Sequence, residues 1–221
     1  MQYIFKLATF YTVYCTVLAM SEEDLQLIKN YLDRIEAARE HLIKQSRDII
    51  GLCKRAIHVC VRGGDASKLV SDLKYRFTEL YNSVKNIPEL FYSNLLQSIA
   101  IEYVEALQFY NVVKESRFAT LNELGVHPVA YILGLLDVIG ELKRYSLELI
   151  KNNKIDDSFS ILEKAESIYD LLSTLNYTDA IVPGFRRKLD IYRKVIDDWR
   201  ELLIDLRSRK DLIDRIERIA I

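Results

Sequence analysis

The chain has 221 residues, of which 50% are apolar, and its formal net charge is −1. A chain of this length and composition can bury a substantial core as one domain, or at most as two closely packed ones. The near-zero charge excludes a global electrostatic field that recruits nucleic acid, so any basic surface has to come from local clustering. With only 7 glycines and 3 prolines, the chain favours a few long elements over a β-rich fold with many turns.

The first twenty residues are apolar apart from Lys6, and the sequence then changes abruptly to SEEDLQLIKN. Three interpretations stay open: a signal peptide with a Val17-x-Ala19 cleavage site, a short membrane anchor, and a mis-assigned start whose true initiator is Met20. Lys6 interrupts the apolar run and MSEED is typical of a cytosolic N-terminus, which favours the third. We therefore treat residues 1–20 as an extension, or an extra helix docked on a partner, and expect a cytoplasmic protein that meets a membrane only if this extension is real and exposed.

Apolar residues recur at helical spacing along residues 21–221 and predict one all-α domain, a bundle of about seven helices. Ser21 and Asp24 resemble a capping box, and the first helix continues from there to about Val61. Pro88 suits the first position of the third helix. The other helices are predicted at about residues 66–85, 89–117, 128–152, 157–175 and 183–219, with a helical turn around TLNEL at 120–124.

The three cysteines are predicted to be reduced thiols. Cys53 and Cys60 lie two helical turns apart, about 10 Å along the axis, which is too far for a disulfide. Reduced thiols are typical of an intracellular protein.

Two carboxylates of the third helix lie on its apolar stripe. Glu102 and Glu105 share this stripe with Ile99, Ala106 and Phe109, the face that should turn to the core. Neutral polar residues of the helix fall on the opposite side and are expected to be exposed, namely Ser93, Gln97 and Asn111.

The fifth helix contains a second anomalous carboxylate. Between Val129 and Gly140 it reads VAYILGLLDVIG, and Asp137 is its only charged residue. A helix that is apolar all round is a buried one, and Gly134 and Gly140 allow a partner to approach closely. The short connection suggests that the third and fifth helices are antiparallel neighbours, in which case four acids converge: Glu102, Glu105, Asp137 and Glu141.

Such a cluster needs a cation, because two carboxylates about 4 Å apart repel by about 4 kcal/mol at an effective dielectric constant of 20. Oxygen ligands without cysteine or histidine favour Mg²⁺, or Mn²⁺, over zinc. A metal held there can activate water and stabilise charge on a phosphoryl group. The alternative is a salt-bridge network in which Arg144, or a basic residue of the first helix, neutralises the acids. The same spacing also fits all-α nucleoside triphosphate pyrophosphohydrolases.

A basic stripe runs along the first helix, within about 80° of arc, with Arg55 at its edge; it comprises Lys44, Arg47, Lys54, His58 and Arg62. The stripe is either a surface that binds phosphates or a solvated face. The basic segment FRRKLDIYRK of the last helix, which begins at Phe185, is interpreted as a solvated face.

Three segments together resemble the translin family, in particular its catalytic branch, translin-associated factor X. They are SRDIIGLCKRAIHVCVR from Ser46, EYVEALQF from Glu102 and YILGLLDVIGELKR from Tyr131. The resemblance implies a seven-helix subunit of a hollow, often octameric oligomer that encloses single-stranded RNA and cuts it with magnesium. It also implies that Glu102, Glu105, Asp137 and Glu141 are the catalytic acids and that Lys54 and Arg55 handle RNA. Ala130 replaces an acid common in the family, and the compact chain resembles an archaeal stand-alone form, which implies a homo-oligomer.

The resulting expectation is a magnesium-dependent endoribonuclease that acts on single-stranded RNA, with single-stranded DNA as a further candidate ligand. Glu102, Glu105 and Asp137 are expected to hold the metal, while Glu141 serves as a further ligand or as the base that orients water. The backbone-binding residues are expected to be Arg47, Lys54, Arg55 and Arg144. A non-catalytic single-stranded nucleic-acid-binding scaffold and a pyrophosphohydrolase remain as alternatives.

Overall fold

The computed structural model describes residues 21–219, which contain eight helices and no strand. The helices are α1 (Glu22–Val61), α2 (Ser67–Val84), α3 (Pro88–Phe91), α4 (Asn94–Lys114), α5 (Leu121–Leu124), α6 (Pro128–Lys151), α7 (Ile155–Ser173) and α8 (Phe185–Ile219). A compact unit begins at Leu42, and the part of α1 up to His41 belongs to a separate unit. The predicted all-α class is confirmed, whereas the interpretations of residues 1–20 lie outside the described residues.

The predicted start of α1 is confirmed by its capping box. The Ser21 backbone N–H donates to Asp24 Oδ2 at 3.0 Å, and the Asp24 N–H donates to Ser21 Oγ at 3.0 Å. These bonds satisfy backbone donors that have no partner within the first turn of a helix.

The prediction of one third helix over residues 89–117 is wrong, because the segment divides into α3 and α4. Pro88 does open α3 at its first position. Ser93 then has an extended backbone, and its hydroxyl accepts the Leu96 N–H at 3.3 Å. Ser93 is therefore the N-cap of a new helix, and this break accounts for eight helices rather than about seven.

The close packing of α4 against α6 depends on Gly134. A Cβ atom at this position would lie 2.6 Å from Val104 Cβ and 2.9 Å from the Ile101 carbonyl oxygen. Further along, the rings of Phe109 and Tyr145 meet edge to face at 6.0 Å. Contacts at increasing residue number on both helices show that α4 and α6 run parallel, so the expected antiparallel arrangement is wrong.

The connection over residues 115–127 explains the parallel arrangement, because it returns beside α4 before α6 begins. The Gln108 side chain is fully buried and binds the backbone of Ala119 twice, donating to its carbonyl at 2.7 Å and accepting its N–H at 2.8 Å. The Tyr131 hydroxyl donates to the same carbonyl at 2.8 Å. Asn111 is also buried, so the expectation that it is exposed is wrong; α4 lies inside the bundle and is covered on more than one side.

The last helix, α8, runs parallel to α6 and covers another of its faces. Lys143 Nζ donates to the Val195 carbonyl at 3.3 Å, and one turn later Trp199 Nε1 donates to Ser146 Oγ at 3.0 Å. The Ser158 hydroxyl of α7 donates to the Ser146 carbonyl at 3.0 Å. Thus α6 is enclosed by α4, α7 and α8, as its continuous apolar sequence predicts.

Cys53 and Cys60 are buried free thiols, as predicted. Across residues 21–219, none of the helices combines the length and the apolar character needed to span a membrane.

The packing at Gly134 predicts that Gly134→Ala destabilises the protein by about 1–3 kcal/mol, because the new methyl group meets a backbone carbonyl that cannot move independently. Gly140→Ala is the matched control, since its Cβ would lie in ordinary contact with the Tyr192 ring at 3.7 Å. This control should gain up to about 1 kcal/mol from helix propensity. Urea denaturation followed by circular dichroism measures both, and equal stability of the two variants would contradict the packing argument.

Candidate functional site

The four predicted acids lie in one electrostatic cluster on α4 and α6. Each is partly exposed, and the charges of Asp137, Glu102 and Glu141 all act on Glu105. The convergence predicted from sequence therefore holds even though the helices run parallel. It holds because Gly134 sets the register, with Val104 opposite this glycine and Glu105 one residue further on.

The direct partner of Asp137 is Lys188 of α8. The Lys188 ammonium donates to both carboxylate oxygens of Asp137 at 2.5 Å, and both side chains are largely buried, with exposed fractions of 30% and 20%. The Tyr192 hydroxyl, one turn further along α8, donates to Asp137 Oδ1 at 2.9 Å. Burial and the neighbouring Asp137 raise the pKa of Tyr192 above its ordinary value, so this hydroxyl keeps the proton that it donates.

Glu141 is paired with Arg144 on the same helix. Arg144 Nη1 donates to Glu141 Oε2 at 3.0 Å, and half of the Arg144 side chain is exposed. This is part of the salt-bridge network considered as the alternative to a metal site. Arg144 therefore lies beside the cluster. The second basic partner of the acids is Lys188 of the last helix, where a residue of the first helix was considered.

Glu105 is the carboxyl group whose proton affinity is most disturbed. Burial, and then repulsion by Asp137, Glu102 and Glu141, raises its pKa from the ordinary 4.5 to about 8, against the opposing effect of Lys188. Burial together with Glu102 and Glu105 also raises the pKa of Cys53 on α1 to about 12. Cys53 is thus an uncharged neighbour of the cluster and not a nucleophile.

Lys188 and Tyr192 were not predicted as site residues from the sequence. Lys188 lies in FRRKLDIYRK, which was interpreted as a solvated face; this is correct for the exposed Arg186, Arg187, Arg193 and Lys194 and wrong for Lys188. The signal was available, because Lys188 and Tyr192 share a helical stripe with the buried Phe185, Ile196 and Trp199. A lysine on an apolar stripe, like an acid on an apolar stripe, indicates that a group of opposite charge lies opposite it in the folded protein.

The donor set suits a hard divalent cation, although the described side chains are not gathered around a metal position. Within residues 21–219, no group of three or more His, Cys, Asp or Glu side chains lies close enough to hold an ion. The oxygens of Asp137 are instead held by Lys188. Four carboxyl groups face two cations, Lys188 and Arg144, and the pKa of Glu105 is raised first by burial and then by the charges of the other three acids. Oxygen-only ligands with excess negative charge fit Mg²⁺ or Mn²⁺.

The predicted backbone-binding residues of α1 are all on the surface. Arg47, Lys54 and Arg55 are exposed. The Arg55 guanidinium lies back along the helix over Gly51, 3.4 Å from where a Cβ of that residue would be. Their exposure fits either interpretation of the basic stripe.

This fold and cluster identify the class of protein. Residues 33–210 match the Translin family, so the chain belongs to that family, as the resemblance predicted.

Individual relatives are similar along most of the chain. An uncharacterized protein of Methanocaldococcus jannaschii is 28% identical over 212 residues, which cover 94% of each chain. Translin-associated protein X of Mus musculus is 20% identical over 205 residues, covering 72% of this chain and 71% of the mouse protein.

Solved structures share the fold. The crystal structure of apo-NeC3PO superposes with a TM-score of 0.75 at 28% identity, covering 84% of this chain and 98% of that one. AfC3PO in a complex with duplex RNA gives a TM-score of 0.77 at 27% identity, covering 84% of this chain and 97% of that one. The predicted translin-like architecture is confirmed.

The raised pKa of Glu105 predicts how stability depends on pH in metal-free protein. Between about pH 4.5 and 8 the folded state holds a proton that the unfolded state releases, so the free energy of unfolding falls as the pH rises through this range. In Glu105→Gln this contribution is absent, and the variant should gain stability relative to wild type as the pH rises from 5 to 8.

Urea denaturation with EDTA at several pH values measures this difference. The control is Glu148→Gln on α6, whose exposed carboxylate pairs with Lys151 at 3.4 Å; it should follow the wild-type curve. A difference between wild type and Glu105→Gln that does not change with pH would contradict the assignment.

Proposed function

We propose that this protein is a magnesium-dependent endoribonuclease that cuts single-stranded RNA within a homo-oligomer. The observation that carries the proposal is the cluster of Glu102, Glu105, Asp137 and Glu141, which is partly buried and forms its salt bridges with Lys188 and Arg144. A binding surface for RNA gains nothing from four clustered acids, because they repel the phosphates. A site that holds a divalent cation requires them.

Glu102, Glu105 and Asp137 would hold Mg²⁺, or Mn²⁺, with Glu141 as a further ligand or as the base that orients the attacking water. A bound divalent ion lowers the pKa of water and stabilises the charge that develops on a phosphoryl group. Attack by water would leave a 5′-phosphate and a 3′-hydroxyl; a 2′,3′-cyclic phosphate would contradict this mechanism.

Lys188 would act as the stand-in cation of the metal-free site. Its ammonium holds both oxygens of Asp137, so a metal bound by Asp137 would have to displace it. The displaced ammonium would then be available to contact a phosphate of the RNA. Tyr192 would keep the Asp137 carboxylate oriented throughout, since its hydroxyl contacts only Oδ1.

Arg47, Lys54 and Arg55 would bind the RNA backbone, with Arg144 beside the acids. Contacts of this kind are made to phosphates and tolerate any sequence. The solved relative AfC3PO was captured with duplex RNA, so the substrate test has to include duplexes. An octameric assembly, binding of single-stranded DNA and a cytoplasmic location remain predictions from the sequence.

The direct test is cleavage of end-labelled RNA by a chain that starts at Met20. Wild type should cut single-stranded RNA with Mg²⁺ and not with EDTA, and should cut it in preference to the same strand annealed into a duplex. Asp137→Asn, purified as the same oligomer, should bind single-stranded RNA without cutting it. The control Glu148→Gln should cut like wild type, because its carboxylate lies outside the cluster. Equal cutting by wild type and Asp137→Asn would contradict the assigned site.

The same preparations distinguish the alternatives. A pyrophosphohydrolase would release pyrophosphate from nucleoside triphosphates in an Asp137-dependent manner. A non-catalytic scaffold would bind RNA equally with Mg²⁺ or EDTA and leave its length unchanged.

A further inference from the structure

An aromatic pocket lies at the N-terminal ends of α4 and α6, the two parallel helices that carry the acids. It has a volume of about 370 Å³ and opens between α2, α3, the first turns of α4 and α6, and the loop before α8. A pocket of this size holds a small organic molecule. None of its lining side chains is Asp, Glu, Lys or Arg, so its preferred ligand is neutral.

The aromatic rings that line this pocket are fixed in place by edge-to-face contacts with one another. Tyr81 meets Phe91 at 5.1 Å, Phe91 meets Tyr92 at 5.1 Å, and Tyr92 meets His127 at 6.4 Å, each edge to face. The series is anchored in the core by Phe77, which is 2% exposed and lies 5.4 Å from Tyr81. Such mutual contacts fix the rings before a ligand arrives.

Tyr92 is the exposed member of this series. Tyr92 is 71% exposed. It lies between the last residue of α3 and Ser93, the N-cap of α4. The break between α3 and α4, which the sequence pattern did not predict, places this ring at the pocket. A fixed ring with an open surface is suited to stacking on a flat heterocycle.

Two polar side chains supply hydrogen bonds at the same pocket. The Gln97 amide offers both donors and an acceptor, the combination found on the edge of a nucleobase. His127 Nδ1 accepts the Val129 N–H at 3.3 Å, so in the neutral ring Nε2 carries the proton and is a donor. The pocket therefore pairs a stacking surface with donors and acceptors, and it lacks the cations that a phosphate needs.

The pocket and the acid cluster lie on the same two helices at different levels. Ala130 at the pocket and Asp137 in the cluster are seven residues apart on α6, about 10 Å along its axis. On α4, Gln97 and Glu102 are five residues apart, about 7.5 Å along its axis, and they project from different faces.

We propose that this pocket, with Tyr92 as its stacking surface and Gln97 and His127 as its polar contacts, binds one nucleobase of the RNA. The proposal rests on the proposed function and adds to it a contact with a base, whereas the acids and the basic stripe contact phosphates. Such a pocket favours single-stranded RNA, because a base inside a duplex is not available for insertion.

The test measures RNA binding in EDTA, where no cutting occurs, with two oligonucleotides of equal length, one normal and one with abasic riboses. Tyr92→Ala should weaken binding of the normal strand by at least about fivefold, the loss expected for one base stacked on an aromatic ring, and should not change binding of the abasic strand. Tyr92→Phe should restore wild-type binding. The control is Tyr75→Ala on α2, which removes a ring with a similar exposed fraction of 67% outside the pocket.

A second readout uses 2-aminopurine placed at successive positions of the strand. Stacking quenches its fluorescence, so wild type should quench it at one position of the strand, and Tyr92→Ala should not. Equal weakening of both strands, no weakening of either, or dissociation of the oligomer by Tyr92→Ala would overturn the proposal; the last result would make the pocket a contact between subunits.

The two proposals fail differently. If wild type cuts RNA and Tyr92→Ala binds the normal strand like wild type, the base pocket is wrong and the nuclease stands. If wild type never cuts, yet Tyr92→Ala selectively loses the normal strand, the pocket stands and the nuclease is wrong.

Discussion

The close packing of α4 against α6 at Gly134 determines where each carboxylate of the cluster lies. A Cβ atom there would overlap Val104 and meet the Ile101 carbonyl, so only glycine allows the two helices this separation and register. The parallel direction follows from the returning connection, which Gln108 holds at Ala119. With both fixed, Glu105 is brought next to the acids of α6, and the repulsion between them is a consequence of the backbone.

That repulsion is offset by cations from two helices. Lys188 reaches Asp137 from α8, and Arg144 reaches Glu141 from the following turn of α6. Tyr192 hydrogen-bonds to Asp137 from the same helix as Lys188, so α8 supplies both side chains that hold this carboxylate. Within residues 21–219, Glu105 is left without a cation of its own in this arrangement, and burial, followed by repulsion from the other acids, raises its pKa to about 8. A divalent cation in exchange for the Lys188 ammonium would add positive charge beside it.

Much of this could be predicted from sequence because it depends on helical periodicity. The acids on apolar stripes were recognised from positions i, i+3 and i+4 alone. Their convergence was predicted for an antiparallel pair, and it holds in the parallel pair because the packing at Gly134 brings Glu105 next to the acids of α6. The break at Ser93 was missed because Ser93 lies within a continuous apolar pattern, and a local cap decided the boundary. Lys188 was missed because the density of charge in FRRKLDIYRK concealed its place on the buried stripe, and the parallel direction depends on buried side-chain contacts to Ala119 that no pattern shows.

The most direct test of the central claim is calorimetric titration of Mn²⁺ into wild type, Asp137→Asn and Lys188→Met, with Lys194→Met as the control for charge on α8. Lys194 belongs to the same basic segment of α8 as Lys188, and its side chain is exposed. The account predicts saturable binding by wild type, loss of binding in Asp137→Asn, tighter binding in Lys188→Met because the competing ammonium is gone, and no change in Lys194→Met. No saturable binding by wild type, or equal binding by Asp137→Asn, would contradict it and leave the acids as a structural ion-pair network.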